Sequence, residues 1–139
     1  LKTISASIAE RALPWLLVAY CAASFLHFAH NAEYLADYPN LPGWLSRSQV
    51  YLAWLAILAI GILGYVLYRR GQCLIGLVVL AVYAAFGFDG LLHYTRAPFA
   101  AHTIVMNLTI WSEVVAAAFL LIAVMTSGAE RVRLWWGVS

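Results

Sequence analysis

Charge is what this chain has least of. Asp, Glu, Lys and Arg together make up 10% of its 139 residues, where a soluble domain carries about a quarter. With 65% of the residues hydrophobic, too little polar surface is left to face water. That excludes a soluble globular protein, a disordered chain and a coiled coil. The net charge of +2 is too small and too scattered for a surface that tracks phosphates, so no nucleic-acid partner is expected. Cysteine is nearly absent. Cys21 and Cys73 form no CxxC or Cys-rich metal pattern, and their expected depths differ too much for a disulfide. Internal repeats, low-complexity tracts and a second domain are also missing, so 1–139 reads as a single domain.

What remains is a chain whose solvent is lipid. No charge falls between Arg11 and Glu33, between Arg47 and Arg69, or between Arg70 and Asp89, and from Ala97 to Ala129 the only charge is Glu113. Charges in hydrocarbon are costly, and a helix needs about 20 apolar residues to cross the bilayer core. The runs therefore predict four transmembrane helices, at 12–34, 49–68, 72–95 and 100–126, in an antiparallel bundle. Helices are expected rather than barrel strands because the apolar runs are continuous, without the alternation of a barrel. The two prolines and glycine within 37–43 mark a loop. Arg69-Arg70-Gly71-Gln72 reads as a tight hairpin, and Pro98 suits a helix's opening turn.

Lys2, Arg11, Arg69, Arg70, Arg131 and Arg133 fall on one side of these spans, and only Arg47 and Arg96 on the other. The positive-inside rule then puts both termini in the cytoplasm, in a bacterial inner membrane. Tyr34, Tyr38, Trp44 and Tyr51 are expected in the outer interface, and Trp135 and Trp136 in the inner one. The first span is too long and uniform for a secretory signal, and a chain starting at Leu1 is expected to lack an initiator segment. Helix 2 carries almost no polar residue and is expected to face lipid or a partner.

The topology sharpens the histidines. All four of them, His27, His30, His93 and His102, fall near the outer ends of their helices, with Asp89 one turn deeper than His93. His27 and His30 are three apart and share a helix face, Asn31 can join His27, and Asp89 and His93 are four apart on another face. On the fourth helix, His102, Met106, Thr109 and Glu113 form a stripe. Inward side chains on facing helices are how bundles build cofactor and metal sites. Imidazole plus carboxylate suits copper or zinc, with iron or haem b as lesser options. The expected metal ligands are His27, His30, Asp89, His93 and His102. Glu113, about 16 Å below His102 along the helix, is the candidate catalytic acid, base or proton relay. Tyr20, Tyr83, Asn107 and Ser24 are its candidate hydrogen-bond partners. The bland alternative is an Asp89–His pair that staples helices 3 and 4, with Glu113 a packing residue.

Asp89-x3-His93, followed by His102 across a short turn, resembles the copper-binding Asp-x3-His…His set in the transmembrane C subunit of particulate methane and ammonia monooxygenases. The resemblance spans residues 89–102 and implies copper on these residues. Ser24, His27, Asp89, His93 and His102 also resemble the Ser, Asp and His set of seven-helix zinc amide hydrolases of the alkaline ceramidase and adiponectin-receptor type. That likeness implies zinc-activated water, although this chain lacks their HxxxH pair. Three function classes stay open from the residues. The first is a membrane metalloprotein with a redox or hydrolytic His/Asp site. The second is a haem b electron carrier. The third is an accessory subunit of a larger membrane complex, or a homo-oligomer, whose polar cluster binds lipid, quinone or a neighbour. Transport is weaker, since no broken helix or repeat is evident.

Overall fold

A computed structural model of the chain describes residues 8–137. Among them the secondary structure is all-helical: α1 (Ile8–Glu33), α2 (Arg47–Arg69), α3 (Cys73–Phe86), α4 (His93–Arg96) and α5 (Ile104–Trp135), with short 3-10 helices at Leu35–Asp37, Asp89–Leu92 and Phe99–Ala101. Four stretches, Ile8–Glu33, Arg47–Arg69, Cys73–Arg96 and Ile104–Trp135, are long and apolar enough to cross a membrane. Lys2, used in the orientation argument, lies outside the described residues, as do the ends of the expected 1–139 domain.

Two expected boundaries need correction. The third helix, expected to be continuous over 72–95, stops at Phe86 and continues as a 3-10 turn and the short α4. Gly87 lies where a Cβ would overlap Ala117 and the Tyr20 ring. This close approach is open only to glycine, and Gly87 and Gly90 together weaken the helix at that point. The fourth helix, expected over 100–126, starts at Ile104 and runs to Trp135. Thr103 sets the start, because its hydroxyl accepts from the Met106 N–H at 3.2 Å and leaves Thr103 as the extended cap. Pro98 holds Ala97 extended (φ −154°, ψ 150°). His102 therefore sits in the connection before α5, and the expected His102–Met106–Thr109–Glu113 stripe loses its first member.

α2 opens with a capping box in which Ser46 accepts from the Gln49 N–H while the Gln49 side chain accepts from the Ser46 N–H at 2.8 Å. It returns into α3 through Gly71 at φ +88°. α1 packs on α5 and α2, α2 on α3, and α3 on α5. The α2–α3 seam is drawn tight by glycine: a Cβ on Gly76 would run into the Tyr68 backbone, and one on Gly61 into the Tyr83 ring. Leu13, Tyr20, Leu80, Ala117 and Leu120 fill the centre. Outward the pattern inverts that of a soluble protein. Val18, Leu26, Leu52, Ile62, Val78, Leu108, Phe119 and Ile122 are exposed, while Ser24, His27, Asn107, Glu113 and Ser127 are buried. Helix 2 contributes Val50, Ile57, Gly61 and Gly64 to the interior, so it faces outward over only part of its surface.

Candidate functional site

The break after Phe86 positions the polar residues. It lets the 89–96 segment settle against α1, α5 and the 34–46 loop, and it brings Asp89 and His93 to a cavity of about 160 Å³. His27, Asn31, Gln49, Asp89 and His93 supply the polar part of its wall. The expected shared face of Asp89 and His93 is met in that both line this space. His27 and Asn31 meet there too, one turn apart on α1.

Each ring has its own surroundings. His27 is 2% exposed. Its Nε2 stands 3.7 Å from Glu113 Oε2, and its Nδ1 is buried with no hydrogen-bond partner. His93 Nε2 lies 3.3 Å from the Asn31 side-chain amide, and its Nδ1 is likewise buried and unpartnered. As placed, the Asn31 N–H donates to Nε2, which puts the neutral ring's proton on Nδ1; only the turned-over amide would reverse this. His102 Nδ1–H donates to the Pro98 carbonyl at 3.1 Å, which leaves its buried Nε2 without a partner. The rings touch in sequence: His27 to His93 at 5.5 Å between centroids and His93 to His102 at 6.1 Å.

Asn107 pins the segment that carries His102. Its amide nitrogen donates to the Phe99 and His102 carbonyls, each at 3.3 Å, and its oxygen accepts from Tyr94 at 2.7 Å. Asn107 thus serves the connection, not Glu113. Tyr20 is also committed elsewhere, donating to the Tyr83 carbonyl at 3.2 Å.

His30 is the member that stands apart. It is half-buried, stacks on Tyr34 at 4.6 Å and has its Nδ1 2.9 Å from the Tyr38 hydroxyl. Tyr38, expected in an interfacial belt, is instead 3% exposed and lies over His93 at 4.9 Å. Burial pushes its hydroxyl up to about 12, so at neutral pH it is a donor, and His30 Nδ1 accepts. Composition carried no sign of this, because a tyrosine in a proline-rich loop looks the same whether it points out or in. Asn40, at φ 57°, ties the loop down by donating to the Arg96 carbonyl at 2.8 Å.

Glu113 was expected in isolation well below the histidines. It is fully buried, with Ser24, one of its expected partners, engaging its carboxyl and His27 Nε2 3.7 Å from one oxygen. Asp89 Oδ1 is also buried and unpartnered. Buried polar atoms are almost always paired, so this concentration at one end is unusual. Among the described residues no group of three or more His, Cys, Asp or Glu side chains is already gathered closely enough to hold a metal ion. The expected ligands are neighbours rather than an assembled shell. No family model matches the chain, and no curated protein or solved structure is significantly similar to it.

Proposed function

We propose that the chain is an integral membrane protein that crosses the bilayer four times with both termini in the cytoplasm, and that its outward end carries a transition-metal site. The apolar exterior and the four long helices support the first part. α5 alone would run about 48 Å at roughly 1.5 Å per residue, past the hydrocarbon core of about 30 Å. That length carries Arg131 and Arg133 into the cytoplasmic headgroups.

One observation carries the metal reading. His27, His93 and His102 each have one ring nitrogen facing a fixed polar group, which is Glu113, Asn31 and the Pro98 carbonyl in turn, while the other nitrogen is buried and unpartnered. A ligating histidine donates its far N–H to a carboxylate or backbone carbonyl and leaves the near nitrogen to the metal; His102 has this arrangement, and His93 would have it with the Asn31 amide turned over. Two imidazoles on one tetrahedral ion have ring centres about 5 Å apart, close to the 5.5 Å between His27 and His93. His93 lies between the other two rings, and Asp89 lines the same cavity as His27 and His93. His30, satisfied by Tyr38, falls outside the set. Imidazole with carboxylate and no thiolate selects copper or zinc. The direct ring contacts favour a bare ion over haem b, whose porphyrin needs a gap between its axial histidines.

Such an ion would supply Lewis acidity or, if copper, a redox centre. The residues themselves bind it, orient it and close it off under Tyr38. The test is elemental analysis of detergent-purified protein after dialysis against copper or zinc, alongside His27→Ala, His93→Ala and His102→Ala. One ion per chain, lost in each variant, is the expected result. Protein that stays metal-free, or variants that keep the ion, would return the cluster to helix packing. Labelling of single cysteines placed at 40 and 134 tests the orientation, with 40 expected to be reached from outside only.

A further inference from the structure

The break after Phe86 has a second consequence. The 89–92 turn packs on α5 rather than on α2, and the polar cavity of about 160 Å³ lies in the gap beside the start of α2. Toward the outer end, α1 and α2 are clasped by Glu33, which meets Arg47 at 2.6 Å and Tyr51 at 2.8 Å. Toward the inner end, Phe25 packs on Trp54 at 5.0 Å. The α2 wall of the cavity includes Gln49 and Ala53, both exposed. The cavity therefore opens beside the first two turns of that helix, at the depth where headgroups meet hydrocarbon.

Inside, donors and acceptors are balanced. The contact between Asn31 and His93 uses one end of each group. His93 is 8% exposed. As placed, the contact leaves Asn31 Oδ1 as an acceptor and His93 Nδ1–H as a donor, both buried and unpartnered. Turning the amide over exchanges the roles and again leaves one of each. Asp89 Oδ1 adds an unpartnered oxygen. Gln49 commits its oxygen to the Ser46 cap, so its NH2 is what it can offer a ligand. Among the described residues no Lys or Arg lines the cavity. An anionic head would meet a carboxyl with no cation to offset it. An ammonium only donates and would leave donors unpaired. A hydroxyl both donates and accepts. The volume suits a single ring, since a cavity of about 150 Å³ takes up benzene.

We propose that this cavity binds the uncharged, hydroxyl-bearing ring of a lipid-soluble phenol or quinol, which enters sideways from the outer leaflet past Gln49 and Ala53. The inference rests on the four-span reading, which supplies the leaflet, and not on the metal.

The test uses the full, metal-free chain in phosphatidylcholine nanodiscs, with 4-decylphenol as the probe and empty nanodiscs to subtract partition into lipid. Saturable binding of one probe per chain is expected. Decylbenzene, which keeps ring and tail without the hydroxyl, should bind about 10-fold more weakly, roughly what one hydrogen bond is worth. Dioleoylglycerol, a hydroxyl lipid without the ring, should not compete. Ala53→Trp fills the mouth and should weaken the phenol at least about 10-fold. Asn31→Leu should weaken it by a similar factor and erase the preference over decylbenzene. If Asn31→Leu does not fold, Ala53→Trp, at an exposed position, still decides.

Uptake no greater than in empty nanodiscs, equal affinity for decylbenzene, or unchanged affinity in either folded variant overturns the inference. So does competition by dioleoylglycerol, or tighter binding of decylamine or decyl phosphate. Cysteine labelling at 40 and 134 tests the four-span reading on separate samples. Labelling as expected without saturable binding removes the ligand alone; labelling from the wrong sides removes the leaflet that would supply it, and both readings fall.

Discussion

The two seams of the molecule use the same apolar residue types and spend them differently. Where α2 meets α3, glycines at 61, 64 and 76 let backbones, Leu80 and the Tyr83 ring close up. Where α1 meets α5 and the broken 87–102 segment, small residues again permit approach, but the space gained is filled with imidazoles, a carboxylate and an amide whose hydrogen bonds are incomplete. The first seam is explained by packing alone. The second is not, because leaving buried polar atoms unpaired costs roughly 1–3 kcal/mol each. This second seam is where the proposed site would lie.

That difference is sharpest at His93, the ring that touches both His27 and His102. His93→Ala should lower zinc or copper affinity by more than about 100-fold, beyond the loss on removing an outer-sphere partner. Isothermal titration in detergent reads it directly. The thermal midpoint of the metal-free protein should move less than for a substitution in the other seam. The reverse order, large destabilisation with metal binding kept, would make the polar seam structural after all.

The opposite perturbation is Gly76→Val. The added side chain meets the Tyr68 backbone and the Gly64 carbonyl, which cannot yield as a flexible side chain would, so a loss of about 3 kcal/mol is expected. Thermal unfolding in nanodiscs should show it, while the folded fraction still binds one ion per chain. Loss of the ion in step with stability would mean the two seams are not separable.

How much of this division the residues reveal in advance follows from what each feature depends on. Charge spacing locates all four long helices, because the cost of a charge in hydrocarbon is local and large. Hydropathy also brings the histidines to one end. It does not show the break after Phe86, since that depends on Gly87 meeting Ala117 and Tyr20, a contact across sequence. For the same reason the residue count along one helix does not show that Glu113 has a histidine beside it, because His27 reaches it from α1. Tyr38 was illegible because loops carry no period from which a facing direction can be read. The pairings of His27 with Glu113 and of His93 with Asn31 are tertiary and leave no trace in spacing, whereas that of His102 with the Pro98 carbonyl is local.

Tyr38 offers a finer probe of the polar seam. Tyr38→Phe keeps the ring over His93 but removes the hydroxyl that donates to His30, at a cost of about 1 kcal/mol. Its ordinary value of 10 rises to about 12 through burial, so the neutral form is favoured in the folded state. The stability from that shift is fully present below pH 10 and is lost as pH climbs toward 12. Unfolding curves collected across that window should fall for the wild type and stay flatter for the phenylalanine variant. Equal slopes would mean that the tyrosine is wetted, and is no cover for the site.

The smallest effect is expected at the far end, where Arg131 and Glu10 form a partly exposed ion pair. Arg131 meets Glu10 at 2.5 Å and lies 5.5 Å from the centre of the Tyr68 ring. Its side chain is 34% exposed, so water screens the pair, and exposed ion pairs contribute about 0–1 kcal/mol. Arg131→Lys keeps the charge but loses the planar fork and much of the ring contact. A drop of about 0.5 kcal/mol, shrinking further as salt is raised, is the expected reading, with metal affinity unchanged. A larger loss that salt does not reduce would mean this end is as tightly coupled to the core as the histidine end. The contrast between a screened ion pair and the buried polar cluster would then no longer separate the two ends of the chain.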